Sequence, residues 1–292
     1  MLNFFLFLIF ILFLLYAVLI LYYRAGWLHL NEHKFNRNFI PKTKVSIIIP
    51  ARNEEANIKA LLEDILVQFY PPNLIEIIVV DDHSTDKTAE IASSYQRVKC
   101  ITLSDYTHGQ KLNAYKKKAI EVAIQQSTGE LIITTDADCK MCNYWLLGIV
   151  NYYETYHHEL IASPVLFSTN NSWFQNFQSL DFMTMQGITG ALAHTKTGTM
   201  CNGANLAYTR KAFEAVNGFH GIDDIASGDD MLLMYKIEKH FPKRTTYLKC
   251  KDVIVYTQPM PNIKSFLQQR TRWASKANKF EDKRIKAVLG LV

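Results

Sequence analysis

The stretch IEIIVVDDHSTD, residues 75–86, decides the architecture. Six residues without a break in β-forming character close on two aspartates and a Ser/Thr/Asp turn. A short apolar run bounded in this way reads as a strand buried on both faces. Two other runs end alike: residues 45–49 (VSIII) stop at Pro50, and residues 131–135 (LIITT) stop at Asp136. Residues 98–103 form a weaker run. Between the runs, residues 54–69, 86–95 and 111–126 have helical periodicity. This alternation predicts βαβ units and a mainly parallel sheet. Such sheets bind ligands at the carboxyl ends of their strands, which is where the acidic residues gather. No GxGxxG follows the first strand and no Walker A lysine loop is present, so dinucleotide oxidoreductase and P-loop NTPase readings lose their support. The chain shows no internal repeat and no low-complexity linker.

Upstream, residues 4–23 read FFLFLIFILFLLYAVLILYY, twenty residues without a charge. As a helix this segment is about 30 Å long, the thickness of a bilayer's hydrocarbon core. A cleaved signal peptide has a basic start, a shorter apolar stretch and a small-residue cleavage site. Here Met1-Leu2-Asn3 is uncharged and no A-x-A follows, so a retained anchor is expected. Residues 24–44 carry Arg24, Lys34, Arg37, Lys42 and Lys44 against Glu32 alone. The positive-inside rule sets that side in the cytoplasm, with Tyr22, Tyr23 and Trp27 at the interface.

The 292 residues are 49% hydrophobic and carry a net charge of +5, enough apolar material for a core and too weak a charge to imply a nucleic-acid partner. The distribution is uneven: residues 24–44 contribute +4 and residues 264–286 contribute +6, leaving −5 elsewhere. The two basic segments suit the anionic cytoplasmic leaflet. Cys100, Cys139, Cys142, Cys201 and Cys250 are odd in number and irregularly spaced, unlike a disulfide framework, and fit the reducing cytosol. Cys139-x-x-Cys142 has no second pair and reads as two ordinary thiols after a strand. The sequon at Asn170 is expected to be idle on this side of the membrane.

Asp136-Ala137-Asp138 ends the run at 131–135. Two carboxylates two residues apart in a turn can share one hard cation with a polar ligand, and Mg²⁺ or Mn²⁺ suits oxygen donors and keeps phosphate oxygens in its shell. Alone, a D-x-D is also an ordinary polar turn. Asp86 reads as a cap of the following helix, whereas Asp81 and Asp82 face the same crevice as Asp136 and Asp138. Gly228-Asp229-Asp230 precedes an apolar helical run at 231–237. Basic groups complement these acids. Lys116-Lys117-Lys118 alone reads as a solvated helix face. Gln269-Arg270-Thr271-Arg272-Trp273 lies in a basic helical segment, where arginine can pair with a diphosphate and tryptophan can stack on a sugar or anchor at an interface.

In this order the residues resemble a membrane-bound family-2 glycosyltransferase, an inverting α/β enzyme of the GT-A fold, related to bacterial polysaccharide, cellulose and hyaluronan synthase-like transferases. VSIIIPARNEE is similar to the family's first strand and P-x-x-N-E turn, VVDDHSTDKT to its D-D-x-S-x-D element and TTDADC to its D-x-D. SGDD matches the base motif, QRTRW is a full Q-x-x-R-W, and NGANLAYTR followed by Gly218-Phe219 resembles the acceptor-side segment. The resemblance spans roughly residues 44–280. It implies that Pro50, Ala51 and Glu54 border the nucleotide, with Asp82 near the base and Asp81 supporting it. Asp136 would contact the ribose or phosphate side and Asp138 would ligate a divalent cation, Mg²⁺ or Mn²⁺. Asp230 would be the general base with Asp229 beside it, while Gln269, Arg272 and Trp273 would close over the diphosphate and acceptor end. Lys111 and Lys117 compete for the family's lysine, and Lys117 is taken here as donor-binding.

The implied organisation is a transmembrane helix at 4–23, a basic juxtamembrane linker at 24–43, a GT-A domain at 44–261, and a basic amphipathic, interfacial helix at 262–292 leading toward a C-terminal membrane region. The implied partners are a UDP- or GDP-sugar, a glycan or lipid-linked acceptor and the membrane, with the catalytic domain on the cytoplasmic side of a bacterial inner membrane. Two other readings stay open: a haloacid-dehalogenase-like phosphatase using Asp136 and Asp138, and a non-catalytic, membrane-tethered sugar-nucleotide sensor.

Overall fold

The apolar runs become strands because helices cover both of their faces. The computed structural model describes residues 2–107, 112–170, 172–198, 200–225 and 228–274. After α1 (Leu2–His29), the first half alternates β1 (Val45–Ala51), α2 (Ile58–Leu66), β2 (Ile75–Asp81), α3 (Thr88–Ser93), β3 (Val98–Thr102), α4 (Ser104–Thr107), α5 (Tyr115–Gln125) and β4 (Leu131–Thr134). Next come β5 (Lys140–Met141), α6 (Trp145–Tyr156), β6 (Leu160–Ala162), β7 (Val165–Phe167) and α7 (Trp173–Thr195). The chain continues through β8 (Leu206–Thr209), α8 (Arg210–Ala215), α9 (Asp229–His240), β9 (Thr245–Tyr247), β10 (Val255–Thr257) and α10 (Ile263–Ala274).

Seven strands form one sheet in the order β3-β2-β1-β4-β8-β6-β9. The pairs β3–β2, β2–β1, β1–β4 and β6–β9 are parallel, and β8 runs antiparallel to both neighbours. A small second sheet has the order β5-β10-β7. Alternate residues of each strand serve opposite layers. Val45, Ile47, Ile49, Ile77, Val79, Leu131 and Ile133 pack with α2 and α6 on one side. Ile48, Ile78, Val80 and Ile132 pack with α5, α8 and α9 on the other.

The three expected helices begin later than their periodicity suggests, α3 at Thr88. The backbone N–H groups of Glu54 and Glu55 are taken by Thr88 Oγ1 and by Asp86 Oδ2, at 2.7 and 3.1 Å. These bonds knit the loops after β1 and β2 together and delay α2 to Ile58. The third expected helix, from 111, begins at Tyr115 among the described residues.

The apolar helix does not end at residue 23 but continues to His29, and its last turns are part of the domain. Gly26 lies against Ala191 of α7, and Gly190 lies beneath the Trp27 ring. Lys249 Nζ donates to the Trp27 and Leu30 carbonyls, both at 3.0 Å, and sits 4.6 Å from the Trp27 ring centroid. It thus satisfies carbonyls that a helix C-terminus leaves open. The following segment is strapped down as well. His33 N–H donates to Lys249 O, Arg37 stacks on Tyr144, and Glu154 Oε1 accepts the N–H groups of Lys42 and Thr43. Among the described residues one helix, Asn3–His29, is long and apolar enough to cross a membrane, and none of its most apolar window is buried.

Candidate active site

β4 ends at Thr134, and the chain then turns through Asp136-Ala137-Asp138 at the carboxyl edge of the sheet. β8 is antiparallel to β4 with Leu206 opposite Thr134, so the turn entering β8 reaches the same edge. Thr134 Oγ1 donates to Gly203 O at 2.9 Å, and the Asn202 side chain accepts the Ala204 N–H. Asn205, fully buried, donates to the Pro164 and Val253 carbonyls and accepts from Trp145 Nε1. The turn is held from below by these bonds.

α9 aims its first turn at this edge. Gly203 N–H donates to Asp230 Oδ2 at 3.1 Å, and Met231 N–H donates to Asp230 Oδ1 at 2.7 Å. Gly228, just before the helix, has φ of 76°, a left-handed conformation that glycine adopts without steric cost. Asp229 and Asp230 therefore occupy the first helical turn, where the helix dipole favours negative charge. A Cβ on Gly203 would lie 3.3 Å from Asp229 Oδ2 and 3.7 Å from Lys116 Nζ. Glycine leaves that space clear.

Lys116 bridges the two acidic elements. Its Nζ is 2.6 Å from Asp136 Oδ1 and 3.6 Å from Asp229 Oδ2. Burial lowers its pKa, but the Asp136 and Asp229 carboxylates outweigh burial and hold it above the ordinary lysine value. The sequence reading takes Lys117, the next residue, as donor-binding. Lys117 is buried, and its Nζ donates to the carbonyls of Ile222 and Ile225 at 2.6 and 2.7 Å. The reason is helical phase: Lys117, Ile120 and Ile124 share the buried stripe of α5, whereas Lys116 lies about 100° around the axis. Lys111 lies outside the described residues. The phase of Ile120 and Ile124 was the signal that could have found Lys116.

Asp138 sits half-buried beyond Asp136. Burial pushes its pKa up, a 2.7 Å hydrogen bond from Thr257 Oγ1 draws it down, and Asp136 raises it again, leaving it above the usual range. Glu54 is also raised, first by burial and also by Asp138 and Asp136, although Asn57 Nδ2 donates to it at 2.8 Å. Three carboxylates thus press on one another. Among the described residues no group of three or more His, Cys, Asp and Glu forms a ready metal cage. Mg²⁺ and similar ions are commonly held by one or two carboxylates together with substrate phosphates. Asp138, with its neighbouring acids, fits a cation whose coordination a bound diphosphate completes.

The far end of the crevice is made by the turns after β1 and β2. Pro50 and Ala51 close β1, and Ala51 O accepts the Asp82 N–H at 2.8 Å. Asp81 is buried, with Oδ2 accepting the Ser84 N–H. Asp82 accepts from His83 Nδ1 at 2.8 Å and lies 3.9 Å from Arg52. Asp86 Oδ1 accepts the Thr88 N–H at 3.0 Å just before α3, whose N-cap position is Lys87 rather than Asp86.

α10 carries QRTRW. Arg270 pairs with Asp181 of α7 and stacks over the Phe266 and Trp273 rings. Trp273 packs near Phe182 at the edge of the core. Gln269 is half-buried, and Arg272 lies on the outward face of α10 beside Lys264 and Leu267. The structure therefore brings Asp136, Asp138, Asp229, Asp230, Glu54 and Lys116 to one edge. It sets Gln269, Arg272 and Trp273 on a neighbouring helix. The rest of the 262–292 segment lies outside the described residues.

A mostly parallel sheet with carboxylates at its carboxyl edge is the arrangement expected of a GT-A glycosyltransferase. Residues 46–216 match the model of Glycosyl transferase family 2, and the chain belongs to that family. The phosphatase reading is thereby set aside. A probable glycosyltransferase of Bacillus subtilis, YdaM, is 30% identical over 278 residues, covering 88% of this chain and 63% of the relative. A beta-monoglucosyldiacylglycerol synthase of Nostoc sp. is 33% identical over 114 residues, 38% of this chain and 23% of the relative. The mannosyltransferase PcManGT of Pyrobaculum calidifontis, solved with GDP-Man and Mn²⁺, superposes with a TM-score of 0.65 at 20% identity, covering 93% of this chain and 75% of that one. The chain spans less than two thirds of the length of these curated relatives.

Proposed function

We propose that the chain is an inverting glycosyltransferase that moves a sugar from a UDP- or GDP-sugar to a hydroxyl of a glycan or lipid-linked acceptor at the cytoplasmic membrane face. The observation that carries this reading is the convergence of the Asp136–Asp138 turn, the Gly203 turn and the Asp229–Asp230 helix start around Lys116. Pro50, Ala51, Glu54, Asp81 and Asp82 border the nucleotide. Lys116 takes the role assigned from sequence to Lys117 and meets the phosphate side together with Asp136. Asp138 holds Mg²⁺ or Mn²⁺, which, when bound, neutralises charge on the diphosphate leaving group. Gln269, Arg272 and Trp273 close over the diphosphate and acceptor. Support for a membrane-borne acceptor comes from α1 and from the glycolipid synthase among the relatives.

An acceptor hydroxyl is a poor nucleophile until a carboxylate takes its proton. Asp230 is held for that task by two backbone N–H groups, while Asp229 is engaged with Lys116. Direct attack on the anomeric carbon inverts it. The test is proton NMR of the sugar released from an α-linked donor, with water as acceptor, before mutarotation. The β-anomer is expected first, and early appearance of the α-anomer would contradict inversion.

The two lysines separate cleanly. Lys116→Met is expected to raise the donor KM about tenfold through loss of one charge-assisted contact, with a smaller loss of stability than Lys117→Met. Lys117→Met is expected to destabilise the fold by about 2–4 kcal/mol, because two carbonyls lose their donor, with donor KM little changed. Donor titration and thermal melting of both variants decide between these patterns.

A further inference from the structure

From Asn217 to Ile225 the chain runs in turns, so its carbonyls have no strand or helix ladder to enter. Asn217, Gly218 and Gly221 have φ of 56°, 49° and 81°. The N–H groups bond within the turns, His220 to Asn217 O at 3.0 Å and Ile222 to Phe219 O at 2.9 Å. Two ammonium groups reach the carbonyls. From α5, Lys117 Nζ donates to Ile222 O and Ile225 O. From α9, Lys236 Nζ donates to Gly218 O and His220 O, at 2.5 and 2.8 Å.

Lys117 is the costlier of the two. It is 2% exposed, and a buried ammonium is tolerated only with its donors engaged. An apolar side chain of similar length would fill the stripe beside Ile120 and Ile124 without that cost. What the ammonium adds is a fixed position for the turns.

Those turns precede Gly228 and the first turn of α9, where Asp229 and Asp230 stand. Lys116, the residue before Lys117 on α5, meets Asp136 at 2.6 Å and Asp229 at 3.6 Å. Adjacent residues of one helix therefore hold two points of the same segment, Lys117 the turns before α9 and Lys116 its first residue. The helix fixes the spacing between the two holds. Lys236, about two turns along α9, ties the turns back to the helix that carries the aspartates.

We propose that Lys117 and Lys236 are positioning residues for sugar transfer: by holding the carbonyls of Gly218, His220, Ile222 and Ile225, they set where Asp230 stands relative to Asp136 and the donor. They act through Asp230 and not on the donor. This rests on the reading of Asp230 as the general base and extends it to the scaffold that aims the carboxylate.

The test uses the full chain in membranes. Nucleoside diphosphate release from UDP-glucose, UDP-N-acetylglucosamine and GDP-mannose is measured with Mn²⁺, well below the melting temperature. Lys249→Met is the control, because Lys249 also donates to two backbone carbonyls, those of Trp27 and Leu30, but at the end of α1. Lys117→Met and Lys236→Met are expected to lower kcat about 10- to 100-fold, the loss that a shift of order 1 Å imposes on a reacting group, with donor KM within about twofold of the wild type. Lys249→Met is expected to lose stability and keep the wild-type kcat. Lys236 is partly exposed, so Lys236→Met decides the question even where Lys117→Met does not fold. An unchanged kcat in Lys236→Met, an equal fall in Lys249→Met, or a raised donor KM without a fall in kcat would overturn the proposal. Asp230→Asn separates this failure from that of the base reading. Loss of release in Asp230→Asn beside full kcat in Lys236→Met overturns the positioning role alone. Undiminished release in Asp230→Asn, or no release by the wild type from any of the three donors, overturns both.

Discussion

Asp230→Asn is expected to lower sugar transfer by about 10²–10⁴-fold, the usual contribution of a positioned general base, while donor affinity stays as in the wild type. The substitution preserves size and can keep one of the two backbone hydrogen bonds, so α9 and the Gly203 turn stay in place. What it removes is the ability to take a proton. Asp229→Asn has a different signature, because Asp229 is 3.6 Å from Lys116. It weakens the link between α9 and the Asp136 turn and is expected to raise donor KM more than it lowers turnover. Steady-state kinetics and donor titration on the two variants separate the roles. Full transfer by Asp230→Asn would withdraw the base assignment.

Asp138→Asn is expected to remove both donor binding and turnover, and chelation of divalent ions is expected to do the same to the wild type until Mg²⁺ or Mn²⁺ is restored. The physical basis is the raised pKa of Asp138, caused first by burial and then opposed by Thr257. A half-buried carboxylate among other acids gains most from a bound cation. A raised pKa also means that protons compete at higher pH than at an ordinary carboxylate. Metal-dependent donor affinity should therefore fall on acidification before the usual aspartate range is reached. Thr257→Val, which deletes a bond favouring the ionised form, should move that fall to still higher pH. Donor titration against pH at fixed metal reads the shift.

The strands that frame the crevice were legible because VSIII, IEIIVV and LIITT are continuous apolar runs ending in polar turns. The acidic ends of those runs pointed to the site for the same reason. Other parts carried weaker signals. β5, β6, β7 and β10 are two or three residues long, too short for an alternation to be read. α7 misleads a hydrophobic-period reading, since its glutamines face inward and Trp173, Phe177 and Leu180 face outward. The choice between Lys116 and Lys117 depends on one residue of helical phase, and run composition does not encode it. Gly203 and Thr257 joined the site only through the antiparallel return of β8 and the placement of β10, both long-range pairings.

The most direct test is nucleoside diphosphate release by the full chain in membranes, screened across UDP- and GDP-sugars with Mn²⁺ or Mg²⁺. At least one donor is expected to give nucleoside diphosphate matched by transferred sugar, abolished by chelator and by Asp230→Asn. Donor binding without release from any of these sugars, or release that persists undiminished in Asp230→Asn, would contradict the account.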